Sequence, residues 1–205
     1  MKPKIGVVLR PDKNISEKNV QIIYNNIFNA LIEYNSYPMG IINDIKSMDI
    51  LSIYDGFVLQ GGNISTEFDY ELIKYCHNKN IPLLGICLGM QTIGEVFGGI
   101  LREINSSNHN VKDNLFLHDI TIYKNTKLFD IVKEYNINVN SRHTYEIKNP
   151  NLTISARSND GVIEAIEDTN KRFFIGLEWH PEDMISYDDY SKKIFKSFIN
   201  ECKNH

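Results

Sequence analysis

Apolar runs of strand length alternate with stretches of helical periodicity along the first half of this 205-residue chain. That alternation predicts the α/β class: one domain, residues 1–205, built on a mostly parallel sheet flanked by helices. Three observations carry the expectation. The run at 81–86 is continuously apolar, the pattern of a buried parallel strand, and the run at 4–9 is apolar and β-branched after Lys4. Val20, Ile23, Ile27, Ala30 and Leu31, lying between the first two strands, recur at helical spacing. Two of the strand-like runs lead directly into glycine-bearing segments, at the carboxyl ends where α/β sheets hold their ligands.

Taken in order, residues 4–9 form the first strand, ending at Arg10-Pro11. Ser16, with Glu17 close behind, is read as the cap of a helix running to about residue 34. Strands follow at 37–42 and 56–59, the second leading into Gln60-Gly61-Gly62-Asn63. A helix over about 68–79 precedes the strand at 81–86, and 87–97 reads as the next helix. After Gly98-Gly99 the character changes to a small β-rich excursion within 100–170. Its strand-like runs lie at 117–123, 137–139, 152–156 and 162–167, with one short helix near 128–133. A strand at 173–178 and a terminal helix over roughly 187–203 complete the chain, with no repeat, linker or low-complexity stretch.

Composition narrows the functional classes. Hydrophobic residues make up 42% and charged residues 23%, ordinary values for a globular domain. The formal net charge of −4 and the scattered Lys and Arg argue against a nucleic-acid partner or a membrane surface. No stretch approaches the roughly 20 apolar residues of a membrane span, and the first apolar run is too short for a signal-peptide core, so a cytoplasmic location is expected. Cys76, Cys87 and Cys202 form no C-x-x-C pair, which suggests neither a zinc site nor a disulfide framework. Cys76 and Cys202 read as inert thiols. His109, His118 and His143 have spacings that match no ligand pattern, so neither metal nor cofactor is expected.

Cys87 is the most telling residue. It stands where an apolar strand gives way to a helix, flanked two residues on each side by Gly85 and Gly89. That is the nucleophile-elbow pattern G-x-S-x-G with a thiol in place of the hydroxyl. A helix N-terminus would favour the thiolate; a buried structural cysteine is the alternative. A thiol nucleophile needs a base and an orienter for it. His180 follows the strand at 173–177, and Glu182 is spaced to curl back onto its imidazole, although a surface histidine beside a solvated glutamate remains open. Backbone N–H groups of Gly61 or Gly62, paired with that of Leu88, could hold an oxyanion; a plain glycine turn is the alternative. Arg10 reads as an ordinary surface arginine, with a place at the mouth of the site as the other option. Glu67 and Asp69 either rim the pocket or charge a helix N-terminus.

Gly85-Ile86-Cys87-Leu88-Gly89-Met90-Gln91 with Trp179-His180-Pro181-Glu182, in the order Cys, His, Glu, resembles the class I glutamine amidotransferases, a flavodoxin-like fold. Between those motifs lie Val139-Asn140-Ser141-Arg142-His143 and Ser158-Asn159-Asp160-Gly161-Val162-Ile163-Glu164-Ala165. This layout, over residues 4–200, resembles the γ-glutamyl-γ-aminobutyrate hydrolase (peptidase C26-like) branch. The resemblance implies that Cys87 attacks a γ-glutamyl amide to form a thioester, with His180 and Glu182 moving the proton and Gly61, Gly62 and Leu88 holding the oxyanion. It further implies that Gln91 and the segment Ser141, Arg142, His143 bind the glutamyl α-amino and α-carboxylate groups. Leu88 stands where hydrolases of this branch often carry Arg; Cys-Leu-Gly is the form common in glutaminase subunits.

The expected activity is thus cleavage of a γ-glutamyl amine, such as γ-glutamyl-γ-aminobutyrate, with a small-molecule substrate as the only required partner and a homodimer compatible with the sequence. The alternative is a glutaminase subunit that supplies ammonia to a separate synthase. A non-catalytic binding domain on the same fold is a third reading.

Overall fold

The computed structural model describes residues 1–13, 17–104, 109–111 and 116–203. The first strand, β1 (Lys4–Val8), is buried from Ile5 onward. A hairpin follows it, β2 (Arg10–Lys13) against β3 (Asn19–Ile22), and only then a helix, α1 (Asn25–Glu33). The expected helix start at Ser16 lies outside the described residues, and Val20 is a strand residue opposite Asp12. Helical spacing yields here to hydrogen bonding. The buried Gln60 amide donates to the carbonyls of Val8 and Ile22 at 2.9 and 3.0 Å, and accepts from the Tyr24 N–H at 3.0 Å. Residues 22–24 are thereby held extended, and α1 begins just beyond them, burying Ile27, Ala30 and Leu31.

Next come β4 (Tyr37–Ile41), a 3₁₀ segment at Ile45–Ile53 that the sequence pattern did not announce, and β5 (Gly56–Leu59). The helix α2 (Glu67–Lys79) starts at a capping box made by Thr66 and Asp69, and ends on Asn80 in the left-handed region at φ 55°. β6 (Leu83–Ile86) then leads through Cys87 into α3 (Leu88–Val96). The excursion contributes β7 (Ile100–Glu103), β8 (His118–Ile122), α4 (Lys127–Val132), β9 (Asn136–Val139), β10 (Tyr145–Lys148), β11 (Thr153–Ser158) and β12 (Ile163–Glu167). β13 (Phe174–Leu177), the single turn α5 (Pro181–Met184) and α6 (Asp189–Lys203) close the chain.

The main sheet runs β4-β1-β5-β6-β13-β12-β11-β8-β9, with β7 and β10 in a separate two-stranded ribbon. The first five strands are mutually parallel, and the pairs from β13 to β9 are antiparallel. Among the described residues seven of these nine strands therefore share one direction, with β12 and β8 opposed. Each face carries its own core, as strand periodicity requires: Leu84 and Ile86 of β6 pack on the side of α1, α4 and α6, and Leu83 on the side of α2 and α3. Ile194, Phe195, Phe198 and Ile199 of α6 are fully buried, and each contributes about 1.5–3 kcal/mol. No helix among the described residues is long and apolar enough to cross a membrane.

Candidate active site

β5, β6 and β13 are neighbours and parallel, so the segments that follow them meet at one edge of the sheet. Those segments are Gln60–Asn63, Cys87 and Glu178–His180. Cys87 sits at φ 50°, ψ −109°, a left-handed backbone that L-residues rarely adopt. Its N–H donates to the Leu177 carbonyl at 2.8 Å, and its carbonyl accepts from the Gln91 N–H at 3.0 Å. The turn is this sharp because two glycines let the elements close on each other. A Cβ on Gly89 would lie 2.2 Å from the Leu59 carbonyl oxygen, and one on Gly85 would lie 2.8 Å from the Gly89 carbonyl carbon.

Gly61 faces both chemical side chains: a Cβ there would stand 3.0 Å from His180 Cε1 and 3.7 Å from Cys87 Cβ. Gly62 rests on Arg10, whose Cδ would be 3.0 Å from an added Cβ. Arg10 is buried, not at the surface. Its Nε and Nη2 donate to the Gln60 carbonyl at 3.0 and 2.9 Å, and Nη1 pairs with Asp69 at 2.7 Å. A hydrogen-bonded chain thus runs from the cap of α2 to the glycine turn, with Asp69 joining the cap to Arg10 and Arg10 reaching the turn. Spacing offered no signal for this role, because the three residues come from three separate segments.

His180 is fixed from two directions. The Asn140 side-chain amide accepts from the His180 N–H at 2.8 Å and donates to its carbonyl at 2.9 Å. His180 Nδ1 lies 2.8 Å from Glu182 Oε1. A carboxylate only accepts, so Nδ1 carries the proton and Nε2 is left as an acceptor. Pro181 at the first position of α5 sets the direction of that turn. Asn140 was quoted within a motif but given no task by the sequence.

Of the remaining expected residues, Leu88 places its N–H on the Cys87 sulfur. Gln91 is buried and donates to Glu178 Oε1 at 2.5 Å. Arg142 pairs with Asp183 and is about a third exposed. Ser141 turns away: its hydroxyl donates to the His109 carbonyl at 2.7 Å. His143 is buried, with Nδ1 on the Tyr145 carbonyl at 2.8 Å and 3.3 Å from Glu178 Oε1. A cavity of about 420 Å³ is lined by Gly61, Gly62, Cys87, Arg142, His180 and Glu182. Another, of about 380 Å³, meets it at Cys87 and is lined by Leu88, Gln91 and His143.

Burial and the Glu178 carboxylate push the Cys87 thiol up to about 12, against the opposing pull of His143 and the Leu88 N–H. The Leu88 N–H pulls toward the thiolate, but burial and Glu178 outweigh it, so the expected favouring of the thiolate at the helix N-terminus does not hold. Glu178 itself is raised to about 7, by burial and by Glu164, while His143 and Gln91 lower it. Burial would lower His143, yet the carboxylates of Glu178 and Glu164 prevail and raise it to about 10. Neither glutamate was singled out for chemistry by the sequence, since Glu164 lies within one expected strand and Glu178 at the end of another.

A glutaminase domain of CTP synthase from Trypanosoma brucei, solved with bound acivicin, superposes with a TM-score of 0.75 at 20% identity, covering 99% of this chain and 94% of that one. That likeness establishes the fold. A Schizosaccharomyces pombe protein provisionally named glutamine amidotransferase PB2B2.05 is 30% identical, over 86% of this chain and 81% of its own. The gamma-glutamyl-gamma-aminobutyrate hydrolase of Escherichia coli O157:H7 is 26% identical over 99% of this chain and 94% of its own. The Peptidase C26 family model matches residues 66–182, from the cap of α2 to Glu182 and so through both motifs. With more than half its length matched, this chain belongs to the glutamine amidotransferase-like hydrolases of the Peptidase C26 family.

Proposed function

We propose that residues 1–205 act as one domain that hydrolyses a γ-glutamyl amide through a thioester on Cys87, releasing glutamate and an amine. The observation that supports this most is the meeting of Cys87, the Glu182-held imidazole of His180 and the Gly61–Gly62 turn around one cavity. In this reading His180 Nε2 takes the thiol proton as Cys87 Sγ bonds to the γ-carbonyl carbon. The oxyanion is met by the N–H groups of Leu88 and of Gly61 or Gly62. Collapse breaks the C–N bond, and the amine leaves with the proton from His180. Water, deprotonated by the same nitrogen, then attacks the thioester and frees glutamate and the thiol. Arg142, Gln91 and His143 are proposed to contact the glutamyl end, with Ser141 holding their segment in place.

The 26% identity over nearly all of the Escherichia coli hydrolase favours a γ-glutamyl amine such as γ-glutamyl-γ-aminobutyrate. The similarity to a glutamine amidotransferase at 30% favours glutamine itself, with ammonia passed to a synthase partner. The three free thiols accord with a cytoplasmic protein. Glutamate release by the purified protein from γ-glutamyl-γ-aminobutyrate and from glutamine, with Cys87→Ala as control, separates these. Turnover of the γ-glutamyl amine, abolished by the substitution, is the expected result. Silence on that substrate overturns the hydrolase reading, and activity on glutamine only when a synthase is added replaces it with the alternative.

A further inference from the structure

Four residues remote in sequence come together at the same sheet edge, behind the cavity, and of these only His143 enters the proposed chemistry. Their placement follows from the strand directions. β8 and β12 oppose the parallel strands, so their opening residues lie at the carboxyl edge, His118 first in β8 and Glu164 second in β12. His143 follows β9, which ends at that edge. His109 is zipped onto the His143 segment: its carbonyl accepts from the His143 N–H at 2.8 Å and the Ser141 hydroxyl at 2.7 Å, and Asn110 bridges to Arg142.

Glu164 Oε1 lies 3.2 Å from His118 Nε2, 3.5 Å from His109 Nδ1 and 3.8 Å from His143 Nε2. His109, His143 and Glu164 are buried, and His118 is partly so. None of the three nitrogens, nor either Glu164 oxygen, makes a hydrogen bond of acceptable geometry, although each of these atoms is cut off from solvent. Such a cluster of orphaned buried atoms demands an account.

The opposite nitrogens supply it. His143 Nδ1 faces the Tyr145 carbonyl at 2.8 Å, and His109 Nε2 faces Asp160 at 2.9 Å. Both partners only accept, so both of those nitrogens carry the hydrogen. The inward nitrogens are consequently lone-pair donors, unless each takes a second proton. His143 lies between two carboxylates, Glu164 and Glu178, which answer its ring. A divalent cation answers the inward atoms of His109, His118 and Glu164 at once. Carboxylate or carbonyl partners on the outer ring nitrogen are also the usual support of a metal-bound histidine. Zinc–ligand bonds of about 2.0–2.1 Å place tetrahedral ligand atoms about 3.3–3.4 Å apart, close to the 3.2 and 3.5 Å at which His118 Nε2 and His109 Nδ1 stand from Glu164 Oε1, whereas His143 Nε2 at 3.8 Å lies outside that set.

We propose that His109, His118 and Glu164, whose ligand atoms all lie within 4.8 Å of one another, form a zinc site with a water in the fourth position. Two imidazoles and one carboxylate are a ligand set that suits Zn²⁺. The metal pins residues 109–111 and β8 to β12 and, through the His109 carbonyl, steadies the 141–143 segment beside the cavities. Sequence spacing argues against such a site, because the three ligands arrive from three separate segments. The proposal is independent of the hydrolase reading.

The test strips metal from the purified full-length protein with a chelator, then titrates Zn²⁺ alone. Bound metal is measured after gel filtration and melting temperature is followed in parallel, with Co²⁺ as a visible probe of tetrahedral coordination. One zinc per chain, a melting temperature lowered by stripping and restored by Zn²⁺, and an intense Co²⁺ band are expected. His118→Ala, at the partly exposed ligand, is the variant least exposed to misfolding; Glu164→Gln is the second. Each should weaken Zn²⁺ binding by at least roughly 100-fold, since even the outer partners of a ligand cost 10–100-fold. Wild-type protein that retains no zinc and melts identically with and without it overturns the site. So does zinc binding that survives both substitutions, which would place the metal elsewhere, for instance at the donors His180, Glu182 and Asp183.

Discussion

Gly89→Ala puts one methyl group where the structure has no room for it. The added Cβ would lie 2.2 Å from the Leu59 carbonyl oxygen and 2.8 Å from Leu59 Cβ. Ordinary carbon–oxygen contacts begin at about 3.3 Å, so the two elements must separate by about 1 Å. Leu59 cannot supply that movement, because it is held in the ladder between β1 and β6. The shift falls on α3, whose first N–H meets the Cys87 sulfur. Overpacking of this kind costs about 1–3 kcal/mol, while Ala in place of Gly returns up to about 1 kcal/mol of helix propensity. A net loss of roughly 1–2 kcal/mol is expected by urea denaturation. A displacement near 1 Å at a reacting group can cost about 100-fold in rate, so glutamate release should fall by about that factor. Gly94→Ala, in the same helix but distant from Cys87 and facing the Ile147 side chain, is the comparison and should keep turnover within a few-fold. Unchanged stability together with full turnover in Gly89→Ala would refute the claim that this contact sets the position of Cys87.

The raised Cys87 thiol predicts a pH profile for the free protein. With the thiol at about 12, under pressure from burial, Glu178 and Glu182 and against His143, the thiolate fraction near pH 7 is about 10⁻⁵, compared with about 10⁻² for an ordinary thiol. Iodoacetamide labelling, followed by mass spectrometry at Cys87, should rise about tenfold per pH unit from 7 to 10; a plateau by pH 8 would show that the resting thiol is not raised. Asn140→Ala removes both hydrogen bonds to the His180 backbone and should cost roughly 1–3 kcal/mol. It should also lower kcat more than it raises KM, and unaltered kinetics would mean that His180 is positioned without that clamp.

What the sequence showed of the fold was whatever local pattern decides. The strand at β6, the turn at Cys87 and the helix α3 are written in consecutive residues, as is the passage from β13 through His180 to Glu182. The stretch before α1 shows the limit. Val20 and Ile23 continue the apolar spacing of Ile27 and Leu31, yet residues 19–22 form a strand because Gln60, nearly forty positions away, claims the backbone at Ile22 and Tyr24. Arg10 fails to read as buried for the same reason: its partners, Asp69 and the Gln60 carbonyl, are brought to it only by the packing of β1 against β5. Burial of a charged residue is a statement about its partners, and distant partners leave no trace in the local sequence. Glu164 and Glu178 were hidden differently, inside apolar runs that correctly announced strands and so concealed the two carboxylates they carry.

The sheet topology explains why so much chemistry gathers beside one strand. On one side of β13 the parallel strands end at the same edge, delivering the glycine turn and Cys87. On its other side the alternation of direction brings strand ends and strand beginnings to that edge by turns: Glu164 is the second residue of β12, Asp160 follows β11, His118 opens β8, and Asn140 to His143 follow β9. A wholly parallel continuation would have sent the beginnings of β12 and β8 to the opposite edge, taking Glu164 and His118 with them. Glu178, directly after β13, touches both territories: it takes the Gln91 amide on one side and faces His143 on the other. A change in the histidine cluster can therefore reach Cys87 through a single carboxylate, with no movement of the backbone. That is the physical sense in which the β-rich excursion belongs to the site and does not merely cover the edge of the sheet.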